Sequence, residues 1–499
     1  MARKKRMSRR EFLQYAGGTL TLAALSGCGR SSTAGVSPTA ASPSPGTGVT
    51  TTAGGVTAPT AELTATAITA SPTEAMSSAR TTGAGALVDA IREMARPLKD
   101  SDDLDPLLER VGDAHYVLLG EASHGTSEYY TWRARISQRL ISEKGFSFIA
   151  VEGEWQDCYR VNQYVRAWRG AGNSAREVLN TYDRWPSWMW ANREIEELVE
   201  WLRQHNDALP ENEKAGFYGL DVYGLWDSME AALQYIERAD PAAVPLARQA
   251  HTCFKPYAES EEEYASASEL GSGPCRKQAG TLLRHLRANA ARYRKADPEA
   301  FFAAEQSALV VKNAESYYRS AEESGSTSWN LRDTHMADTL DRLMQHHGPG
   351  AKGIVWAHNT HVGDARATDM ASAGMVNIGQ LMRQRHQPED VVLVGFGSHR
   401  GTVIAATQWG MKPQKMGVPS AREGSYEDAF HAAGEEDKLL IFSDSADLAP
   451  FLDRLGHRAI GVVYDPEYES YGNYVPTKLA ERYDAFLYID QTEALHPLH

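Results

Sequence analysis

Short apolar runs that each break, at the carboxyl end, into a turn carrying acids or histidines recur along this chain and limit what it can fold into. The first is Tyr116–Leu119, followed by Gly120-Glu121-Ala122-Ser123-His124-Gly125-Thr126. Ser147–Val151 runs into Glu152-Gly153-Glu154, Gly216–Leu220 into Asp221, and Gly353–Ala357 into His358-Asn359-Thr360-His361. Further runs are Val391–Phe396, Leu439–Phe442 and Ala459–Val463, with Thr402–Ala406 and Ala485–Ile489 as late additions. Runs this short and this apolar, separated by helical stretches, predict strands buried on both faces of a mostly parallel sheet, hence a three-layer α/β/α core. Their carboxyl ends share one edge, where open α/β sheets bind ligands.

Between the runs, residues 129 to 143 read as a helix. Trp132, Ile136, Leu140 and Ile141 share a face, and Gly145 stops it. From about 225 to 350 the chain is long, charged and helical without a convincing strand, which predicts a large helical insertion packed over the sheet. The aromatic run Tyr182, Trp185, Trp188, Met189 and Trp190 reads equally as core or as an apolar wall for a bulky substrate, with Trp188 the candidate contact.

The amino-terminal residues are an address. Ser8-Arg9-Arg10-Glu11-Phe12-Leu13 is a twin-arginine export pattern, and the apolar stretch from Ala16 to Leu25 is shorter than the ~20 residues a spanning helix needs. Leu25-Ser26-Gly27-Cys28 resembles a lipobox, which implies cleavage before Cys28, acylation of its thiol and an exported, membrane-tethered protein in residues 28 to 499. Residues 29 to 84 are Ser, Thr, Ala, Pro and Gly with few large apolar side chains, the composition of a linker that cannot offset its ordering entropy. Residues 85 to 499 are left for the folded domain.

The chain carries 65 acids against 51 lysines and arginines, and losing the signal removes six bases but one acid. That acidic excess argues against nucleic-acid binding, which needs a basic face. After Cys28 only Cys158, Cys253 and Cys275 remain, with no zinc spacing. Cys158 reads as a small core residue; Cys253 and Cys275 read either as a bridge or as two buried thiols.

A lone strand-end carboxylate is usually a helix cap; four strand ends in succession bearing Glu121 and His124, Glu152, Asp221, and His358 point to an assembled site. Two chemistries fit. In one, His124 takes a proton from water, Glu121 or Glu152 orients the imidazole, and His358 or an arginine supports the oxyanion of an attacked carbonyl. In the other, the same acids and histidines hold a divalent metal that activates the water. A Ser123 nucleophile is the weaker alternative, since no G-x-S-x-G elbow is present. Arg133 lies one turn from Tyr129 and is placed to face the site. Arg332 and Asp333 read as an ion pair fixing the insertion, with Arg332 also a candidate for substrate. His358 is preferred over His361 because it sits nearer the strand end, and His399 is a weaker candidate.

These stretches together resemble the erythromycin esterase family: Leu119 to Thr126, the helix with Arg133 and Arg135, Ala150-Val151-Glu152, Gly219 to Tyr223, Asn330 to Met336, Trp356 to Asp364, Asn377-Ile378-Gly379 and Tyr464 to Glu467, in family order over essentially the whole folded part. The resemblance implies hydrolysis of a small-molecule ester or macrolactone by direct attack of water. It implies His124 as the base, Glu121, Glu152, Arg133, His358 and His361 in the same site, and no cofactor. More distantly, the strand–Gly-Glu-x-x-His pattern resembles haem-binding iron-regulated lipoproteins and metal-dependent membrane-anchored proteases. Those resemblances imply instead a ligand-binding lipoprotein or a metal hydrolase.

Overall fold

The computed structural model describes residues 85–257, 261–269, 274–320, 325–443 and 446–499. The export signal, Cys28 and the linker lie outside the described residues. Among the described residues no helix is long and apolar enough to cross a membrane.

Among the described residues eleven strands form in chain order: β1 (Arg96–Pro97), β2 (Tyr116–Leu119), β3 (Phe148–Val151), β4 (Gly216–Gly219), β5 (Gly353–Trp356), β6 (Val391–Ala405), β7 (Gln414–Val418), β8 (Lys438–Ile441), β9 (Leu455–Arg458), β10 (Tyr474–Thr477) and β11 (Ala485–Thr492). Nine build one sheet in the order β1-β8-β11-β6-β2-β5-β3-β4, with β7 paired to β6; β9 and β10 form a separate antiparallel pair. The six strands from β11 to β4 run parallel. The chain leaves β2, passes to β3 and β4, returns as β5 between β2 and β3, and then crosses to β6 on the far side of β2. The order reverses around β2, the kind of switch point that opens a crevice at the strand ends.

Alternate residues of each central strand feed two cores. Val117, Leu119, Ile149, Val151, Ile354 and Trp356 pack on one face with Ile136 and Leu140 of the Ser127–Lys144 helix and Leu198 and Leu202 of the Arg193–Asp207 helix. Leu118, Phe148, Ala150 and Val355 pack on the other with Met336, Leu340 and Leu343 of the Gly325–His347 helix. Two dry faces explain why these strands show no polar alternation. Gly145 caps the first of these helices with φ 69°, a left-handed conformation that favours glycine.

Between Leu225 and His347 the described residues are helical. Leu225, Met229, Phe254, Leu282, Leu286, Phe301 and Val311 make a third core belonging to this region alone. Arg276–Ala288 and Ala290–Ala296 are separate helices, broken at Asn289. Cys253 and Cys275 are bridged, and Cys158 is a buried free thiol.

Two further expectations change. Val391–Phe396 and Thr402–Ala406 are one long strand, β6, whose second half pairs with β7. Ala459–Val463 is not a strand: Ile460 and Val463 make only isolated bridges, to Ser123 and Ala406, and Ile460 fills a small cluster with Val403, Met416 and Tyr464. Its apolar residues serve local packing rather than a ladder.

Candidate active site

The turn after β2 is held very close to its neighbours. A Cβ on Gly120 would collide with Asn359 Oδ1, and one on Gly125 would collide with the Ile404 carbonyl oxygen, so both positions require glycine. Between them the turn brings Glu121 and His124 together, with His124 Nδ1 2.9 Å from Glu121 Oε1. The other carboxylate oxygen accepts from Arg133 Nη2 at 2.6 Å. Arg133 comes from the following helix and lies against the rings of Tyr130 and Trp356. A carboxylate only accepts, so Nδ1 of His124 carries the proton and Nε2 presents its lone pair.

His358 follows β5. Its backbone N–H donates to Glu152 Oε2 at 2.8 Å. Its Nδ1 accepts from the Thr360 backbone N–H and sits 2.8 Å from Thr360 Oγ1. An N–H can only donate, so Nδ1 is the unprotonated nitrogen and Nε2 carries the hydrogen. That Nε2 is buried and has no partner, yet the ring lines the cleft. Burial, then the neighbouring His124, holds the His358 pKa well below the usual range. The two imidazoles are 4.9 Å apart between ring centroids. Both rings line one cleft, with the Ala122 backbone also near the His358 ring.

Glu152, after β3, and Asp221, after β4, converge on Arg332 from the insertion. Arg332 Nη2 donates to Glu152 Oε1 at 2.7 Å and to Asp221 Oδ2 at 2.6 Å. His361 Nε2 is 3.3 Å from Glu152 Oε1, and its Nδ1 lies 2.9 and 3.0 Å from the Asp333 oxygens. Trp329 stacks on the His361 ring at 4.5 Å. Burial alone would raise Glu152, but the His361 and Arg332 charges outweigh it and hold the carboxyl well below its usual range. Burial alone would lower His361, but Asp333 and Glu152 raise it to about 9. His361 sits between two carboxylates, and Arg332 Nη1 lies 3.2 Å from its Nε2.

The cleft is open to solvent and leaves about 80 Å³ for the centres of water-sized molecules. His124, Glu152, Asp221, Arg332, His358 and His361 form its floor, and Tyr182, Trp185, Met189, Trp190 and Tyr223 form a wall. Trp409, from the β6–β7 loop, packs against Trp185 at 4.5 Å and completes the mouth. Glu154 lines the same space beside Arg184, 2.6 Å away; burial pushes Glu154 up to about 7 even so.

Several assignments from the sequence change. Arg133 is fully buried behind Glu121 and does not line the cleft, so it cannot contact a carbonyl; Arg332 and Arg184 are guanidiniums that line it. Arg332 and Asp333 are not an ion pair with each other: Arg332 goes to Glu152 and Asp221, Asp333 to His361. Trp188 does not line the cleft. The turn Ser187–Met189 directs it into the core, where it is 2 % exposed, while its neighbours Trp185, Met189 and Trp190 face the space. His399 stacks on His431, away from the cleft lining. Trp409 and Thr360 were missed. Thr360 lies between His358 and His361, within a stretch that already pointed to the site, whereas nothing in the sequence around Trp409 marked it.

The donor set does not suit a divalent ion. Among the described residues no three His, Cys, Asp or Glu side chains converge as ligands. Glu152 already serves Arg332, His361 and the His358 amide, and Glu121 serves His124 and Arg133.

Comparison with known proteins agrees with this architecture. The chain is 23% identical over 374 residues to erythromycin esterase type II of Escherichia coli, covering 70% of this chain and 86% of that one. It is 21% identical to the putative hydrolase YbfO of Bacillus subtilis (strain 168), covering 80% and 90%. Among solved structures it is similar to a Bacillus cereus protein (TM-score 0.70, 21% identity, 83% of this chain and 99% of that one). It is also similar to an erythromycin esterase mutant in its open conformation (TM-score 0.59, 18% identity, 80% and 96%). The family model for erythromycin esterase matches residues 141–492, and the chain belongs to the erythromycin esterase family.

Proposed function

We propose that this protein hydrolyses a small-molecule ester or macrolactone with water activated by His124, outside the cytoplasm and tethered through Cys28. The observation that carries the reading is the adjacent pair of imidazoles, whose hydrogen bonds give the neutral rings opposite tautomers, Nδ1–H on His124 and Nε2–H on His358. His124 takes a proton from water as the water oxygen bonds to the ester carbonyl carbon. The carbonyl oxygen becomes an oxyanion that His358 Nε2–H and Arg332 stabilise. Glu121, held by Arg133, stabilises the resulting imidazolium. The tetrahedral adduct collapses, the C–O bond to the alkoxide breaks, and His124 returns its proton to the leaving oxygen. No acyl-enzyme forms.

The aromatic wall suits a bulky apolar substrate, and the name of the Escherichia coli relative makes macrolides the first candidates. The Cys253–Cys275 bridge is in keeping with an oxidising compartment. The test is hydrolysis of a macrolide panel and p-nitrophenyl esters by residues 85–499, followed by mass spectrometry with and without chelator. A product heavier by one water whose formation survives the chelator supports the reading. Turnover that a chelator abolishes and a divalent ion restores contradicts it.

A further inference from the structure

Behind the site lies a chain of buried polar side chains that touches no part of the cleft. Glu427, on the Tyr426–Ala433 helix, His457, on β9, and Asn359, next to His358, are all fully buried. Asn359 Nδ2 donates to the Phe396 carbonyl at 2.7 Å, and Asn359 Oδ1 accepts from the Phe396 N–H at 3.3 Å, so β6 fixes which way the amide points. The second Nδ2 hydrogen is directed at His457 Nε2, 3.2 Å away. His457 must therefore accept there and carry its proton on Nδ1, which donates to Glu427 Oε1 at 2.5 Å. Glu427 Oε1 also accepts the Arg458 backbone N–H.

The Asn359 end of this chain holds the reactive turns. Its backbone N–H donates to the Glu121 carbonyl at 2.8 Å, its side-chain oxygen packs on Gly120, and its carbonyl accepts from Arg482. One amide thus ties together the end of β2, the end of β5 and β6. Stability is a poor explanation for the arrangement. Glu427 Oε2 is buried without a partner, and a buried acid–imidazole pair is commonly no more stable than well-packed apolar side chains of similar volume.

We infer that Glu427, His457 and Asn359 form a positioning relay that fixes the Asn359 amide and so sets the register of the Glu121–His124 turn against His358. The relay rests on the mechanism proposed above and makes the carboxyl-terminal residues 427 to 458 necessary to a site they do not line.

The test compares His457→Leu with His457→Gln in the whole protein. Leucine matches the volume and removes both hydrogen bonds; glutamine can donate to Glu427 and accept from Asn359. With p-nitrophenyl butyrate as probe, His457→Leu is expected to lower kcat by about 10²-fold at unchanged KM, because small misplacements of reacting groups cost that much. His457→Gln is expected to restore most of it. The His124 Nδ1 proton, hydrogen-bonded to Glu121, gives a readout that does not depend on turnover. Its downfield NMR resonance is expected to shift or broaden in the leucine variant and to return in the glutamine variant. Should wild type not cleave the probe, the resonance alone decides, and His124→Ala separately reports on the mechanism. Should His457→Leu fail to fold, Glu427→Gln, which keeps an acceptor without the charge, takes its place and is expected to perturb the same resonance. An unchanged resonance and wild-type kcat in His457→Leu overturn the relay, as does activity that merely tracks melting temperature in both variants.

Discussion

The two halves of the site use the same residue types to opposite ends. In the first, Glu121, His124 and Arg133 come from one turn and the helix after it, and one carboxylate serves one imidazole and one guanidinium. The imidazole keeps a nitrogen free. In the second, Glu152, Asp221, Arg332, Asp333 and His361 arrive from four distant segments, and His361 is gripped at both nitrogens by Asp333 and Glu152. That imidazole is charged over most of the pH range, and both of its nitrogens are already occupied. The number of carboxylates around a histidine, more than its place in a motif, separates a residue that can do chemistry from one that holds the architecture. Changes at His124 should silence the protein without unfolding it; changes in the second half should cost stability, and at Arg332 rate as well.

The largest expected effect is on rate. His124→Ala should lower kcat by ~10²–10⁴-fold, with the melting temperature kept, measured by steady-state hydrolysis beside circular dichroism. His358→Ala should cost about 10²–10³-fold in kcat, the size of a lost oxyanion donor; a loss confined to KM would place His358 in ground-state binding instead.

Arg332→Ala sharpens the contrast from the other side. It strips Glu152 and Asp221 of their shared guanidinium and should cost about 3–5 kcal/mol of stability in urea unfolding. Equal stability with reduced rate would break the division between the halves. The pH dependence comes from His361. Its folded pKa of about 9 lies above the ~6.5 of an unfolded histidine, so its ion pairs contribute fully below pH ~6.5, and the contribution is lost as pH rises through 9. Melting temperature should fall across that window in wild type and less so in His361→Gln. The smallest effect belongs to the wall. Trp409→Ala removes one ring of a pair worth about 0.5–1.5 kcal/mol and should raise KM for bulky esters about two- to tenfold while sparing small ones.

The strand ends were legible because parallel strands buried on both faces read as unbroken apolar runs, and the residues just past each run lie on the site edge. Glu121 with His124 was legible for the same local reason. The partners of Arg332 were not, since Asp221 and Glu152 lie 111 and 180 residues away in sequence, and adjacency to Asp333 suggested the wrong pair. Arg133 was placed on the correct side of its helix, but spacing could not tell a guanidinium in the cleft from one behind its carboxylate. Trp188 failed because a single turn sends neighbouring aromatics to opposite sides. Ala459–Val463 failed because apolar composition alone cannot separate a strand from a segment that fills a local cluster.

Nitrogen-resolved NMR of the two imidazoles tests the central claim most directly, with resonances assigned through His124→Gln and His358→Gln. The expected result is opposite tautomers in the resting protein, His124 protonated on Nδ1 and His358 on Nε2. Matching tautomers, or a His358 protonated on Nδ1, would leave no acceptor–donor pair in the cleft and would contradict water activation by His124 opposite a His358 donor.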